Sequence, residues 1–209
     1  KEFPLWLGTG AELSEAGEGR LKVSAGDNEV VVDKVLACMG RVPNLQSLNL
    51  DVLGVATDDR GVPAFNPNTM QVGDLPVFMA GDVTGDRPIL HEAGDEGRIA
   101  GHNAAREEPE AFARKTPLAI TFCDPNIVAV GQPWEELDEE AIVVGEVKLG
   151  MLGRALIMGR NRGVIRLYAE PETGRLLGAT LVMARGEHIG HLLCWCIAQN
   201  LTVYDLLQM

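Results

Sequence analysis

The stretch that decides the fold is Leu75–Ala105, LPVFMAGDVTGDRPILHEAGDEGRIAGHNAA. Its first seven residues form an apolar run, which predicts a buried β-strand that ends at Gly81 and Asp82. A loop rich in Gly, Asp and Pro follows, and Ile89–Ala105 then carries small side chains three or four positions apart. This spacing predicts a helix with one small-residue face that packs closely on a sheet: Leu90, Ala93, Gly97, Ala100, Gly101 and Ala104.

The junction between this strand and this helix has groups that suit a nucleotide ligand. In α/β layers such ligands bind where the carboxyl ends of strands meet helix N-termini. Gly81 has no Cβ, so a ligand can approach the backbone, and the Asp82 carboxylate can accept hydrogen bonds from ribose or ribitol hydroxyls. The unpaired N–H groups at a helix start favour a negative charge by roughly 0.3–1 kcal/mol. On these two residues alone, a turn aspartate is the simpler interpretation.

The composition limits the class of protein. The 209 residues are 46% hydrophobic, which is enough for a core of normal size. A formal charge of -12 argues against nucleic acid or an anionic membrane as the main partner. No apolar run approaches bilayer length, and the opening KEFPLWLGTG lacks the regions of a signal peptide. We therefore expect a cytoplasmic protein.

Cysteine and histidine spacing does not predict a metal site. No CxxC pair occurs among the four cysteines, which are Cys38, Cys123, Cys194 and Cys196. Cys194 and Cys196 flank Trp195 in a predicted helix and point to different faces, so free thiols are expected. His188 and His191 have a spacing that can bind metal, but without a further ligand nearby we interpret them as packing or capping residues.

Turn-forming clusters divide the rest of the chain. The first forty residues predict a β-meander with strands in PLWLGTGAELS, RLKVSAG and EVVVDKVLACMG. The charged tract Arg106–Pro117 is the best candidate for a domain boundary. Beyond it we predict an α+β domain with a short acidic helix in PWEELDEE, a helix in EHIGHLLCWCIAQN, and a last helix capped by Thr202. Its strands are predicted in AITFCDPNIVAVG, AIVVGEVKLG, RALIMG, GVIRLYAE and LLGATLVMA, with PETG as a hairpin turn.

The order of the motifs resembles the C-terminal part of the flavoprotein pyridine nucleotide-disulphide oxidoreductases. The motifs are KVLACMGRVPN, VFMAGDV, RPILHEAGDEGRIAGHNAA, TFCDPNIVAVG and GRLLGATLVMARGEHIG, and they cover nearly the whole chain. The resemblance implies closing strands of an NAD-binding domain in residues 1–37 and the C-terminal part of an FAD-binding α/β domain in 38–115. It implies a dimerisation domain, an antiparallel sheet with flanking helices, in 116–209.

The same resemblance assigns cofactor-binding roles to five residues. Gly81 and Asp82 match the second flavin motif, in which the aspartate holds the ribitol chain. Leu90 and His91 match the start of the helix whose backbone amides face the flavin ring, so the His91 imidazole would be incidental. Gly40 opens the GRVPN motif at the return into the flavin domain.

Within this family, the chain most resembles the enzymes that oxidise dihydrolipoamide with NAD through FAD. Glutathione reductase, mercuric reductase and soluble transhydrogenase are the alternatives. The sequence contains no GxGxxG fingerprint, no CxxxxC redox pair and no His-Pro motif, and it supplies no catalytic residue of its own. We therefore expect a C-terminal fragment that, in isolation, is a non-catalytic dimerisation module without bound FAD or NAD.

The resemblance also predicts partners for the parent protein. One is a second copy of the chain, because the family acts as a homodimer. Another is the subunit-binding module of the E2 component in a 2-oxo acid dehydrogenase complex. The acidic run Trp134–Glu140 is a candidate docking surface for such a basic module, although a solvated face is its simpler interpretation.

Overall fold

A computed structural model describes residues 3–209, and the chain divides into two compact units between Val42 and Pro43. The first unit contains an antiparallel meander of three strands: β1 (Glu12–Gly17), β2 (Arg20–Ala25) and β3 (Asn28–Val32). Glu18 and Gly19 both have positive φ in the β1–β2 turn, as tight hairpins require. The predicted meander of three strands is confirmed, but its first strand lies later than predicted, because residues 4–11 form neither helix nor strand and β1 extends into the predicted turn EAGEG. Its third strand is shorter than predicted, because residues 33–45 form neither helix nor strand.

The second unit begins with a loop-rich segment that contains two 3-10 helices, Gln46–Leu48 and Leu50–Leu53. The predicted buried strand in Leu75–Gly81 is wrong. Its only ladder contact among the described residues is an isolated bridge between Phe78 and Gln71. The segment folds back on Met70–Val72, where the Val72 N–H donates to the Val77 carbonyl at 2.9 Å. A strand persists only where a partner continues the ladder, and this partner is too short.

The first helix, α1 (Leu90–Ala104), lies within one residue of its predicted bounds at each end. The predicted packing face is wrong, because Leu90, Gly97, Gly101 and Ala104 are exposed. The buried face instead carries mostly polar and charged residues: Glu92, Asp95, Glu96, Ile99, Ala100 and Asn103. Ile99 and Ala100 pack with Met70 in a small apolar cluster. The acidic side chains can be buried because cations from the next segment neutralise them.

The last part of the chain is an antiparallel sheet of five strands in the order β4-β5-β8-β7-β6. The strands are β4 (Leu118–Thr121), β5 (Asn126–Gly131), β6 (Val143–Lys148), β7 (Val164–Ala169) and β8 (Leu176–Met183). Val128, Val130 and Leu181 form the centre of the apolar core. With its flanking helices, this sheet confirms the predicted α+β class. Among residues 3–209, no helix combines the length and apolarity needed to span a bilayer.

One predicted strand in this region, RALIMG, is instead a short helix, α2 (Gly153–Ile157). Its Arg, Ala and Leu residues are good helix formers, and no neighbouring strand is available to recruit them. Gly159, with φ +63°, ends the helix. Its N–H donates to the Leu156 carbonyl at 3.0 Å, and the Arg160 N–H donates to the Ala155 carbonyl at 2.8 Å. This is the hydrogen-bond pattern of a Schellman motif.

Two further helices, α3 (Gly186–Ala198) and α4 (Val203–Leu206), follow the sheet as predicted. Gly190 allows α3 to lie close to β5, because an added Cβ there would stand 2.7 Å from Val128 Cγ1. The predicted Thr202 cap is confirmed as a capping box, in which Asp205 N donates to Thr202 Oγ1 at 3.1 Å. The predicted acidic helix is a single 3-10 turn, Trp134–Glu136.

Candidate functional site

Gly81 and Asp82 form a turn beside α1. Gly81 has φ 84° and ψ −164°, a conformation that only glycine adopts readily. A Cβ at this position would lie 3.5 Å from the Ala93 Cβ, so the turn contacts the first turn of the helix. The Gly81 carbonyl accepts hydrogen bonds from Thr84 N at 2.9 Å and Thr84 Oγ1 at 3.0 Å. Asp82 is half-buried and begins a 3-10 turn that ends at Thr84.

The first turn of α1 lies beside this turn. Ile89 is extended, and the first helical bond runs from Ala93 N to the Ile89 carbonyl at 2.9 Å. The N–H groups of the first turn therefore precede the helical ladder and can donate to a ligand. Leu90 is 88% exposed as a residue, and the His91 side chain is 57% exposed. Neither side chain is held in the interior, which is compatible with roles for their main-chain amides.

The fifth predicted residue, Gly40, belongs to the first compact unit of the chain. Its φ is +83°, which favours glycine at this position. The other four predicted residues, Gly81, Asp82, Leu90 and His91, lie in the second unit around one end of α1.

A buried ionic group lies behind the turn, and we call it the α1 charge cluster: Glu92, Glu96 and Arg114. Arg114 Nη2 donates to Glu92 Oε2 and to Glu96 Oε1, each at 2.8 Å. The side chains of Glu92, Glu96 and Arg114 are only 4%, 0% and 8% exposed. One buried cation thus bridges two buried carboxylates on successive turns of α1.

The environment keeps this guanidinium charged. Burial alone would lower the pKa of Arg114, but the hydrogen bonds and charges of Glu92 and Glu96 outweigh it and raise the pKa above its ordinary value. Two weaker ion pairs extend the cluster, Arg114 to Asp86 at 3.7 Å and Arg87 to Glu92 at 3.6 Å. Arg114 Nε is buried and has no hydrogen-bond partner among the described atoms.

Glu96 connects this cluster to the turn. Its second carboxylate oxygen, Oε2, accepts the Gly81 N–H at 2.7 Å. The same side chain therefore holds Arg114 with one oxygen and Gly81 with the other. The residue next to Asp82 is held by a charge-assisted hydrogen bond to a fully buried carboxylate.

A second buried acid, Asp95, is paired with cations at the surface. Its Oδ1 lies 3.0 Å from Lys115 Nζ and 3.3 Å from Arg98 Nη2. Burial would raise the pKa of Asp95, but hydrogen bonds from Lys115 and Arg98 outweigh it, so the pKa lies below its ordinary value. Lys115 and Arg114 are adjacent, so one short segment neutralises three acids of the helix.

The same segment contacts α3, which packs on the five-stranded sheet. Cys194 Sγ lies 3.6 Å from the Thr116 carbonyl. Burial, followed by the negative charge of Glu92, raises the pKa of the Cys194 thiol. All four cysteines are free thiols, as predicted. In the part of the chain that the structure describes, no group of three or more His, Cys, Asp or Glu residues could hold a metal ion.

Sequence reasoning missed the α1 charge cluster. The helical spacing of Glu92, Asp95 and Glu96 places them on one face, and this signal was present in the sequence. Three acids on one helical face usually indicate a solvated surface. This face is buried because Arg114 and its neighbours cover it, and the sequence does not show that this distant segment packs there.

A cleft of about 700 Å³ adjoins this region, between the segment that leads into α1 and one edge of the five-stranded sheet. Arg87, Pro88 and Glu92 line one side, and Leu118, Gly131 and Arg175 lie among the residues of the other. Arg87 and Glu92 form an ion pair within its wall, and Arg175 pairs with Glu170, which lies outside the lining residues.

Two family descriptions match the chain. The description "Pyridine nucleotide-disulphide oxidoreductase" matches residues 5–108, and "Pyridine nucleotide-disulphide oxidoreductase, dimerisation domain" matches residues 118–209. The dihydrolipoyl dehydrogenase of Haloferax volcanii is 32% identical over 86% of this chain and 38% of its own length. A mercuric reductase of Staphylococcus aureus is 27% identical over 89% of this chain and 34% of its own length.

Solved structures show the same fold. LpdA from Mycobacterium tuberculosis superimposes with a TM-score of 0.76 at 24% identity, over 94% of this chain and 43% of that one. The HOCl-induced flavoprotein disulfide reductase RclA from Escherichia coli gives a TM-score of 0.70 at 25% identity, over 88% of this chain and 43% of that one. The chain thus spans only about two-fifths of the length of such relatives. With both descriptions matched in order, the chain belongs to the pyridine nucleotide-disulphide oxidoreductase family.

Proposed function

We propose that this chain is the C-terminal part of an FAD-dependent dihydrolipoyl dehydrogenase, which oxidises dihydrolipoamide with NAD. The observation that carries the proposal is the contact between the Gly81–Asp82 turn and the first turn of α1. The 32% identity with a dihydrolipoyl dehydrogenase supports this choice of substrate. The chain would supply one wall of the flavin site and the dimer interface.

The residues of this wall fit a flavin with a polyol chain. Gly81 adopts a conformation that only glycine adopts readily, and its missing Cβ lets the turn lie against Ala93 at the start of α1. Asp82 is half-buried at the start of a turn, where its carboxylate can accept hydrogen bonds from hydroxyl groups. The N–H groups at the start of α1 supply donors and the positive end of a helix dipole.

When bound, FAD would relay reducing equivalents between a dithiol and a pyridine nucleotide. Asp82 would hold the ribitol hydroxyls, and the amides of Leu90 and His91 would face the ring. The exposed imidazole of His91 would take no part, because the contact is made by the main chain. Gly40 would allow the chain to return into the flavin domain.

We also assign the segments of the chain by this proposal. Residues 1–37 would close the NAD-binding domain, 38–115 would complete the FAD-binding domain, and 116–209 would form the dimerisation domain. The outward face of α3 supports a second copy as the partner, because Leu192 and Trp195 are 53% and 68% exposed. Large apolar side chains exposed together on one helix usually mark an interface.

For the isolated chain, we propose a non-catalytic dimerisation module. Half of a flavin site lacks the phosphate-binding fingerprint, so the remaining groups cannot offset the entropy of ordering FAD. We expect purified residues 1–209 to be colourless and dimeric. Light scattering and the absorbance spectrum test this, and a yellow preparation would contradict the first expectation.

The test of the main proposal uses the natural protein that contains this chain. We expect a flavin spectrum and rapid reduction of NAD by dihydrolipoamide. We expect Asp82→Asn to weaken flavin binding, whereas Asp59→Asn, an exposed change of the same kind, leaves flavin binding unchanged. A colourless natural protein, or an enzyme indifferent to dihydrolipoamide, would overturn the proposal.

A second candidate is a sister reductase of the mercuric reductase type. The 27% identity with mercuric reductase over 89% of the chain favours it. The same purified protein distinguishes the two candidates. Hg(II)-dependent oxidation of a reduced pyridine nucleotide, without activity on dihydrolipoamide, would select the mercuric reductase function.

We propose further that the acidic run near Trp134 docks a basic subunit-binding module of a dehydrogenase complex. Its carboxylates at positions 135, 136, 138, 139 and 140 are exposed. Such an association weakens as ionic strength rises, because exposed charges are screened. Titration of the natural dimer with a basic module at low and high salt tests the docking. Affinity that is independent of salt would count against it.

A further inference from the structure

We propose that Glu96 is a positioning residue for the flavin, acting through the Gly81–Asp82 turn, and that Arg114 orients it. This inference rests on the proposed flavin site and adds two residues to it. Neither residue contacts the cofactor in our proposal. Their effect passes through one hydrogen bond, from Gly81 N to Glu96 Oε2 at 2.7 Å.

The geometry of this bond supports a positioning role. Glu96 is completely buried, so water cannot replace its carboxylate as the acceptor. A charged acceptor makes a hydrogen bond about twice as strong as a neutral one. The donor is the N–H of the Ala80–Gly81 peptide, and the carbonyl of the next peptide, Gly81–Asp82, is held by Thr84. Both peptide groups of Gly81 are therefore held, and they set the backbone position from which the Asp82 carboxylate extends.

Arg114 determines how the Glu96 carboxylate is presented. It holds Oε1 at 2.8 Å and leaves Oε2 for Gly81. Its second partner, Glu92, prevents the guanidinium from turning away, because Nη2 is shared between the two acids. Arg114 lies four residues before β4, so the turn is connected to the segment that enters the dimerisation sheet.

The cluster has a composition that stability alone does not favour. Apolar residues of similar volume usually stabilise a buried site as well as an ion pair does, or better. An apolar side chain at position 96 would fill the space but would leave the Gly81 N–H without an acceptor. The charged pair therefore fixes the orientation of the Gly81 N–H, which apolar packing cannot do.

The test compares Glu96→Gln and Asp82→Asn, singly and together, in the natural flavin-loaded protein. Glu96→Gln keeps the volume and one acceptor oxygen but removes the charge. We expect it to raise the flavin Kd about tenfold, because one charge-assisted bond becomes neutral. The effects of the two changes should be non-additive, because both act on the same turn. Additive effects would indicate general destabilisation and would overturn the proposal.

Glu108→Gln is the matched control, because Glu108 is an exposed acid in the segment after α1. It should leave the flavin Kd unchanged. Arg114→Lys tests orientation, because lysine keeps the charge but cannot bridge both carboxylates in the same plane. We expect it to raise the flavin Kd, and an unchanged Kd would overturn the role of Arg114.

Hydrogen exchange of the Gly81 amide gives a readout independent of flavin and of any variant. In the unmodified 209-residue chain, this amide should exchange as slowly as the core amides of α1. Exchange at the rate of the surrounding loop would overturn the proposal, even if Glu96→Gln failed to fold. If the natural protein binds no flavin but the Gly81 amide is protected, the proposed function fails while the turn remains held by Glu96.

Discussion

The second unit has two interiors that are built in different ways. Around α1, the interior includes an ionic group, in which the side chains of Glu92, Glu96 and Arg114 are removed from solvent. In the five-stranded sheet, the interior is apolar, with Val128, Val130 and Leu181 at its centre. The first is held by directed bonds among a few atoms, and the second by many weak contacts spread over a large area.

The difference shows what each interior can do. An apolar core tolerates small changes in direction, because burial depends on area rather than orientation. A buried ionic cluster fixes directions, and it fails when one member is removed. The ionic interior lies beside the proposed flavin wall, where the direction of the Gly81–Asp82 turn matters. The apolar interior lies beneath α3, where a broad surface is needed.

The strongest test of the comparison is Arg114→Met. We expect a loss of about 3–5 kcal/mol in the free energy of unfolding, because two buried carboxylates lose their common partner. Urea denaturation of the 209-residue chain measures it. Arg106→Met, an exposed change in the same segment, should alter stability by less than about 0.5 kcal/mol. A small effect of Arg114→Met would mean that the cluster is solvated.

The matching change in the apolar interior is Leu181→Ala. Leu181 is fully buried, so we expect a loss of roughly 3 kcal/mol from lost burial and the residual cavity. The two changes should differ in their effect on flavin binding by the natural protein. Leu181→Ala should leave the flavin Kd unchanged, and Arg114→Met should raise it. Equal effects on the flavin Kd would remove the distinction between the two interiors.

A smaller effect is expected at the cap of α4. Thr202→Ala should cost about 1 kcal/mol in unfolding free energy, because the side-chain acceptor of the Asp205 N–H is lost. Hydrogen bonds from Thr202 lower the pKa of Asp205, so this pKa should rise in the variant. An NMR titration of Asp205 measures the change. An unchanged pKa would show that the capping box does not persist in solution.

The smallest effect concerns the pH dependence of the ionic interior. The pKa of Asp95 is lowered in the folded state, so its contribution is present above the ordinary carboxyl value. That contribution is lost as the pH falls through the lower, folded-state value. Between about pH 5 and pH 2, the melting temperature of Asp95→Asn should therefore fall less steeply than that of the unmodified chain. The exposed change Asp59→Asn serves as the control, and parallel curves for Asp95→Asn would contradict the prediction.

The sequence predicted the features whose causes are local. The bounds of α1 follow from its own spacing, and the Thr202 cap needs only residues 202–205. The meander and the PETG hairpin follow from turn residues between β-rich runs, and Gly174 in that hairpin does have a positive φ of 69°. For the candidate site, the sequence predicted that Gly81 precedes a helix start, and the structure places Gly81 against Ala93.

The features that depend on distant residues could not be predicted in this way. Leu75–Gly81 has the composition of a strand, but a strand also needs a partner, and composition does not reveal one. The buried face of α1 was misassigned because Glu92 and Glu96 are charged. Their burial depends on Arg114, which lies in a charged tract that reads as a linker.

Arg114 also bears on how the protein can be divided. The two matched family descriptions end at residue 108 and begin again at residue 118, so positions 109–117 fall outside both. Those nine positions include Arg114 and Lys115, which neutralise the buried acids of α1. A polypeptide ending at residue 108 would lose Arg114 and Lys115 and would leave the buried Glu96 without a cation, so for soluble expression the cut belongs after Lys115.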